Sequence, residues 1–257
     1  MKQHLRLIIV FLLFWSASCQ RHAHIEQITV SSVELNKQSE QIDSATIIIL
    51  DPYKTELDKI MNEVIGVSTT AMPKERDKSE SLLGNWVSDI SLIKTNSVYK
   101  PSDGQPAQMA LFNYGGLRTS LPAGEITRGK IFELMPFENE LVVLTITGAK
   151  MQELLKYLAY TGGQPVAGIQ LGILPDKTPG KAVIGGVPFD PGKNYKVVTS
   201  DYLAAGGDKM NFFNEPLNRE NTGLKIRDAI IEFCKEETAK GKKLNASLDG
   251  RIYYETK

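Results

Sequence analysis

A mixed α and β fold follows from three features of this sequence. Amphipathic segments at helical spacing alternate irregularly with short runs rich in branched residues. The stretch from Gly162 to Gly192 carries eight glycines and five prolines among short apolar pieces, which reads as hairpins and loops. Such a stretch argues against a purely parallel sheet.

The N-terminus reads as an export signal. Lys2 and Arg6 give a basic start, and Leu7 to Trp15 is an apolar run of nine residues, too short to span a bilayer. Ser16-Ala17-Ser18 follows, then Cys19. A cysteine at that place looks like a bacterial lipoprotein signal, cleaved before Cys19 with lipid added to its sulfur. Ser16 departs from the leucine usual there, and an ordinary secretory signal with a chance cysteine is the other reading. A lipidated Cys19 would anchor the chain to a membrane surface without a spanning helix. The expected organisation is a signal over 1–18, a lipidated tether over 19–45 and one folded domain over 46–257. The expected location is the bacterial cell envelope, on the periplasmic or cell-surface side.

Ile28 to Leu35 alternates weakly and fits an edge strand. Asp51-Pro52 opens a helix, because aspartate caps and proline suits the first helical position. Leu57, Ile60, Met61, Val64 and Ile65 keep one apolar face, and Gly66 is the expected stop. A second helix runs from about Ser81 to Ile93, with Leu82, Leu83, Trp86, Val87, Ile90 and Ile93 inward. Ala107 to Phe112 is a strand, and Ile131 to Leu134 fits either element. Leu141 to Ile146 is a strand bounded by Asn139 and Gly148. Thr147 caps the next helix, whose face is Met151, Leu154, Leu155 and Leu158. Tyr195 to Ser200 is a strand. The last helix, about Leu224 to Lys240, buries Ile226, Ile230, Phe233 and Cys234.

Composition excludes several function classes. The formal charge is zero, from 30 basic and 30 acidic residues; without Lys2 and Arg6 it is 28 against 30, or −2. No basic stretch is interleaved with aromatics, so nothing points to nucleic acid. Cys234 is the one cysteine besides Cys19. With Cys19 lipidated no internal disulfide can form, and Cys234, in an apolar helical setting, reads as a buried thiol.

The candidate site is Asn113-Tyr114-Gly115-Gly116-Leu117-Arg118, directly after the apolar run Met109 to Phe112. Adjacent glycines let backbone approach a ligand. Asn113 and Arg118 put side-chain donors at the same rim, a grip suited to a phosphorylated or hydroxyl-rich small molecule. A plain turn is the other reading of Gly-Gly between apolar runs.

With its flanks, this segment resembles the C-terminal domain of the 5′-nucleotidase family. The matching blocks are Asn113 to Arg118, Leu121-Pro-Ala-Gly-Glu-Ile-Thr127, Met135-Pro-Phe-Glu-Asn139 and Leu141 to Gly148. Tyr195 to Asp208, ending Tyr202-Leu-Ala-Ala-Gly-Gly-Asp208, looks like the same family's last ligand loop, and Glu80 to Asp89 resembles its opening helix. The likeness covers roughly Asp51 to Lys240. It implies an α+β fold of four layers, with helices outside two packed mixed sheets. It also implies roles: Asn113 and Arg118 on the nucleotide, Gly115 and Gly116 for backbone access, Tyr202 under the base, and Asp208 after Gly206-Gly207 on the ribose hydroxyls. Two departures stand out. The family's first base-stacking aromatic is expected near Gly162 to Gly168, where this chain has none, so stacking is expected on one side only. A further family arginine near the opening helix has no aligned counterpart, although Arg76 and Lys78 are close by.

The chemistry of hydrolysis is not legible in these residues. Metallophosphatases hold two metals with several His and Asp ligands, and the three histidines here are His4, His22 and His24. His22-x-His24 can take stray metal but reads as part of a solvated tether. In full-length family members the metal site belongs to a separate N-terminal domain, and no block here resembles it. A serine or cysteine nucleophile with a histidine base is excluded by the same count. Glu125, Glu133, Glu138 and Glu140 leave paired-carboxylate chemistry formally open, though surface solvation accounts for them. Gly124 to Lys130 has P-loop spacing, but Ile131 stands where a Ser or Thr belongs.

The resemblance therefore implies the nucleotide- or nucleoside-binding half of a split 5′-nucleotidase, working in nucleotide catabolism and salvage. Catalytic residues and cofactors are expected to be none in this chain, with divalent metals in a separate metallophosphatase chain. The expected partners are that chain, a nucleotide or nucleoside, and a membrane reached through the lipid. The alternatives are a non-catalytic nucleotide- or nucleoside-binding surface lipoprotein, or a degenerate surface interaction protein.

Overall fold

The computed structural model describes residues 29–32, 43–101 and 103–255. The chain divides into two compact units, Met1–Ile49 and Leu50–Lys257. In the first unit, residues 29–32 carry no regular structure. The rest of the segment expected as an edge strand lies outside the described residues, as do Cys19, His22 and His24.

Helix α1 (Ser44–Met61) starts in the first unit and ends in the second. Its cap is Asp43 rather than the expected Asp51: the Asp43 carboxylate accepts from the backbone N–H of Ala45 at 3.1 Å and from the Thr46 hydroxyl at 2.5 Å. With that cap in place, Pro52 is carried inside the helix, at the loss of one backbone donor. The expected apolar face is not buried, since Leu57 and Ile60 are exposed. Nor does the helix run on to Gly66. Val64 to Ser68 form strand β1, antiparallel to β3 (Gly124–Thr127), as branched residues at positions 64, 65 and 67 favour.

Helix α2 (Leu82–Val98) is capped by Ser81, whose Oγ accepts from the Gly84 N–H at 3.0 Å. Leu83, Trp86, Val87 and Ile90 are buried as expected, whereas Ile93 is 55% exposed. Strand β2 (Met109–Leu111) follows. Thr127 caps α3 (Arg128–Leu134), which settles the ambiguous Ile131 segment as helix. Strand β4 (Glu140–Thr147) leads directly into α4 (Gly148–Thr161), with Thr147 as cap and a left-handed Gly162 as stop. The glycine-rich stretch forms β5 (Val166–Ala167), β6 (Ile169–Ile173), β7 (Pro179–Ile184) and β8 (Val187–Pro188). Then come β9 (Asn194–Ser200), the single turn α5 (Asp201–Ala204), β10 (Asn218–Lys225), α6 (Ile226–Ala239) and β11 (Ile252–Tyr254).

Two mixed sheets result, in the order β10-β4-β9-β2-β5 and β11-β6-β7-β8. In the larger sheet β2 runs parallel to β9 and the other pairs are antiparallel. In the smaller sheet β11 runs parallel to β6. The α+β class with helices and two mixed sheets is as expected. Strand β10 is not readable from its residues: it is an edge strand of the sequence Asn-Arg-Glu-Asn-Thr-Gly-Leu-Lys, and polar, charged edges protect a sheet from further pairing.

The larger sheet is buried on both faces. Along β4, Leu141 and Val143 point into one core with α2, α3 and α6. Val142, Leu144 and Ile146 point into a second core, shared with α4 and with Ile169, Leu171, Ile184 and Ile252 of the smaller sheet. Strict alternation of this kind needs both faces covered, which is why β4 reads as a nearly continuous apolar run from Leu141 to Ile146, broken only by Thr145. In α6, Ile226, Ile230 and Cys234 are buried and Phe233 is half-buried. Among the described residues no helix is long and apolar enough to cross a membrane.

The junction between β4 and α4 has no spare room. A Cβ on Gly148 would stand 2.1 Å from the Pro191 carbonyl oxygen and 2.9 Å from that of Lys193. Backbone cannot swing away as a side-chain tip can, so Gly148→Ala should lose about 1–3 kcal/mol of stability, as overpacked sites do. Urea denaturation of the two proteins measures this. An unchanged midpoint would mean that the turn before β9 yields freely.

Candidate functional site

Parallel pairing places the ends of β2 and β9 at one edge of the sheet. Ala110 lies opposite Val198, and the Thr199 hydroxyl donates to the Leu111 carbonyl at 2.8 Å. The Asn113–Arg118 turn leaves the end of β2, and the Tyr202–Asp208 loop leaves the end of β9. Residues far apart in the chain therefore meet. Asn113 Nδ2 donates to Asp208 Oδ2 at 2.5 Å, and the Tyr202 hydroxyl donates to Asp208 Oδ1 at 3.1 Å.

Between these loops lies a cavity of about 390 Å³. Asn113, Gly115, Gly116, Arg118, Tyr202 and Asp208, all singled out in the sequence, line it. Gly206 and Gly207 do not line it; they shape the loop that does. Gly206 has a left-handed backbone with φ 86°. At Gly207 a Cβ would fall 2.5 Å from Tyr202 Cε1, so only glycine lets the Tyr202 ring lie against this loop. Asp208 also has positive φ, 51°, a conformation aspartate tolerates better than most residues.

The Asn113–Arg118 turn is anchored from beneath. Tyr114 is buried and its hydroxyl donates to Ser81 Oγ at 3.3 Å. The Arg118 N–H donates to the Leu134 carbonyl at 2.9 Å. The Arg118 guanidinium stays exposed, with Nη1 donating to the Gly115 carbonyl at 3.3 Å. Arg76, which the sequence leaves unaligned, donates from Nη2 to the neighbouring Tyr114 carbonyl at 3.4 Å. Burial, then the charges of Arg76 and Arg118, push the Lys74 ammonium below its ordinary value. Three cations thus crowd one side of the turn, while Lys78 pairs with Glu75 at 2.6 Å.

One expectation is corrected. The cavity has a second exposed aromatic, Phe137, 44% exposed beside a Tyr202 that is 50% exposed. The Arg118 guanidinium carbon lies 5.9 Å from the Phe137 ring centre. Phe137 and Asn139, which also lines the cavity, come from the Met135–Asn139 block. The signal was therefore present in the sequence, an aromatic in a matched irregular block, but no role was attached to it. The segment Gly162–Gly168 instead braces the turn: Gln164 Oε1 accepts from the Tyr114 N–H at 3.3 Å, and the Pro165 carbonyl accepts from that of Phe112 at 2.8 Å. The floor is apolar, made by Val87, Phe112, Leu117, Met135 and Ile226.

Among the described residues Asp208 is the one carboxylate in the lining. Glu138 is held by Lys225 and Arg227, which pull its carboxyl down to about 2. Glu140 accepts from the Gly223 N–H at 2.6 Å. Cys234 is no nucleophile, because burial pushes its thiol up to about 12. Gly124 to Lys130 forms β3 and the first turn of α3 and contributes nothing to the cavity lining. Among the described residues no group of three or more His, Cys, Asp or Glu could hold a metal.

The chain is similar to several known proteins over most of its length. The family described as 5′-nucleotidase, C-terminal domain, matches residues 64–215. The trifunctional nucleotide phosphoesterase protein YfkN of Bacillus subtilis is 29% identical over 79% of this chain and 14% of its own length. The cell wall protein Lmo0130 of Listeria monocytogenes is 26% identical over 88% of this chain and 31% of its own. Among solved structures, a 5′-nucleotidase precursor from Thermus thermophilus superposes with a TM-score of 0.68 at 29% identity, covering 82% of this chain and 43% of that one. The chain spans less than half the length of each of these relatives.

Proposed function

The chain belongs to the 5′-nucleotidase C-terminal domain family, one of nucleotide-related function, and we propose that its cavity binds a nucleoside or nucleotide as the substrate-gripping half of a split 5′-nucleotidase. The observation that carries this reading is the convergence of Asn113, Arg118, Tyr202 and Asp208 on one cavity. Tyr202 and Phe137 offer faces for a base, Asp208 can accept from ribose hydroxyls, and Arg118, with Arg76 and Lys74 close by, gives the rim the sign a phosphate needs. The apolar floor suits the flat body of a base.

The reading is tested by calorimetric titration of adenosine and AMP into the protein. Tyr202→Ala should cost on the order of 1–3 kcal/mol through lost stacking. Arg118→Ala should cost about 1.5–3 kcal/mol where its donors meet a charged ligand, and should weaken AMP more than adenosine. Equal affinity of wild type and both variants would remove the site assignment and leave the family membership.

Hydrolysis would fall to a separate metallophosphatase chain holding divalent metals. The support is the histidine count: none follows His24. The purified protein with manganese, cobalt or zinc should release no phosphate from AMP, and a metallophosphatase partner should restore turnover. Turnover by this chain alone near about 1 per second, an ordinary enzyme rate, would sink the split-enzyme proposal. A binder that no such partner activates would instead be a nucleotide- or nucleoside-binding surface protein.

An envelope location is proposed from the same sequence. It rests on the apolar run before Cys19 and on a relative named as a cell wall protein. Mass spectrometry of the protein from its native membranes should find lipid on an N-terminal Cys19. Cys19→Ala should leave the membrane fraction or keep its signal uncleaved. An unmodified N-terminus at another residue would show the anchor reading to be wrong.

A further inference from the structure

We infer that Arg227 is the positioning residue of the ligand cavity, acting through the Met135–Asn139 segment and above all through Phe137. The inference rests on the reading of the cavity as the binding site. Met135, Phe137 and Asn139 all line that cavity, yet their segment has no regular structure of its own. An irregular segment needs partners for its backbone groups from elsewhere, and here α6 supplies them.

Arg227 lies in the first turn of α6 and is only 6% exposed. Its Nη1 makes long hydrogen bonds to three successive carbonyls, those of Met135 at 3.4 Å, Pro136 at 3.4 Å and Phe137 at 3.5 Å. Its Nη2 pairs with Glu138, the next residue along. Its guanidinium carbon stands 4.1 Å from the centre of the Phe132 ring, in α3 just before the segment. The two residues before it add to the grip: Lys225 pairs with Glu138, and the Ile226 N–H donates to the Asn139 carbonyl at 3.0 Å.

A planar fork of donors does what a lysine cannot, because one rigid group addresses a carboxylate and a run of carbonyls together. Among the described residues Arg227 Nε finds no partner, so a buried guanidinium stands here with one unsatisfied donor. With its backbone held, the segment has Phe137 facing the cavity beside Arg118. Without it, the aromatic wall would move relative to Tyr202, and a base could not meet both rings at once.

The test is a double-mutant cycle on the full chain, with wild type, Arg227→Met, Phe137→Ala and the double variant. Arg227→Met should weaken adenosine binding about 3- to 30-fold, within the range for coupled neighbours, but cost little further once Phe137 is gone. Losses that add in the double variant would overturn the inference. Hydrogen exchange reads the same point without ligand. Arg227→Met should speed exchange across Met135–Asn139 while leaving β9 and α4 unchanged; unaltered exchange in that segment would also overturn it. If Arg227→Met fails to fold, Arg227→Lys, which keeps the charge and the packed stem, carries both measurements and should show the same pattern more weakly. If wild type binds no adenosine, the proposed function falls, and the exchange comparison still decides the role of Arg227.

Discussion

The parallel register of β2 on β9 is the constraint on which the site depends. Every other pairing in the larger sheet is antiparallel, and an antiparallel pair would send the two strand ends to opposite edges. Because Ala110 faces Val198 in a parallel pair, both strands finish on the same side. Ligands in open sheets with helical cover commonly sit outside the carboxyl ends of parallel strands, for this same geometric reason. The two-sided burial of β4 and β9 makes that register hard to slip. A shift by one residue would exchange Leu141 and Val143 for Val142 and Leu144 between two different cores.

The arginines divide according to burial. Arg251 is buried and saturated, with Asp89 at 2.7 Å, Asp249 at 2.8 Å and the Val166 carbonyl at 2.7 Å. Arg227 is buried against Glu138 and the carbonyls before it. Removing a partner from either would strand a charge in a poorly solvated place. Arg118 and Arg76 differ: each gives one hydrogen bond to a carbonyl of the Tyr114–Gly115 pair, out of five donors in a guanidinium. With a partly buried Lys74 nearby, three cations share that side of the turn, and both guanidiniums there are exposed. An anionic group arriving there would relieve the crowding as well as gain hydrogen bonds.

What was legible in the sequence follows from where the information lies. Strong local patterns read correctly: the β4 run, the Thr147 cap with its helix, and β9 all appear near their expected bounds. The helix start at Asp51 did not, because Asp43 is an equally good cap and one proline does not forbid a helix. Strand β10 was invisible because its place at the sheet edge demands polar residues, the opposite of the pattern that marks a strand. In the site, both Gly-Gly loops were singled out through the family resemblance of their flanks, since Gly-Gly by itself reads equally well as a plain turn. Phe137 was missed for a different reason. Nothing local says which way a side chain on an irregular segment points, and the partner that meets the backbone of this one, Arg227, comes about ninety residues later.

Side chains of the site are hydrogen-bonded to one another, and this bears on how it would take a ligand. Both Asp208 oxygens accept from side chains of the site itself, Oδ2 from Asn113 and Oδ1 from Tyr202. A carboxylate has about four lone-pair positions, so these bonds orient Asp208 without exhausting it, and ribose hydroxyls can be added to the same two oxygens. The left-handed backbone at Asp208 and the glycine beneath the Tyr202 ring are costs met during folding rather than on binding. A loop ordered in advance spares a ligand the entropy of ordering it. The Asn113–Asp208 bond ties the turn after β2 to the loop after β9, and the Tyr202–Asp208 bond braces that loop internally. The strained residues and the parallel register thus serve one end: the sheet brings the two loops together, and the carboxylate of Asp208 links them.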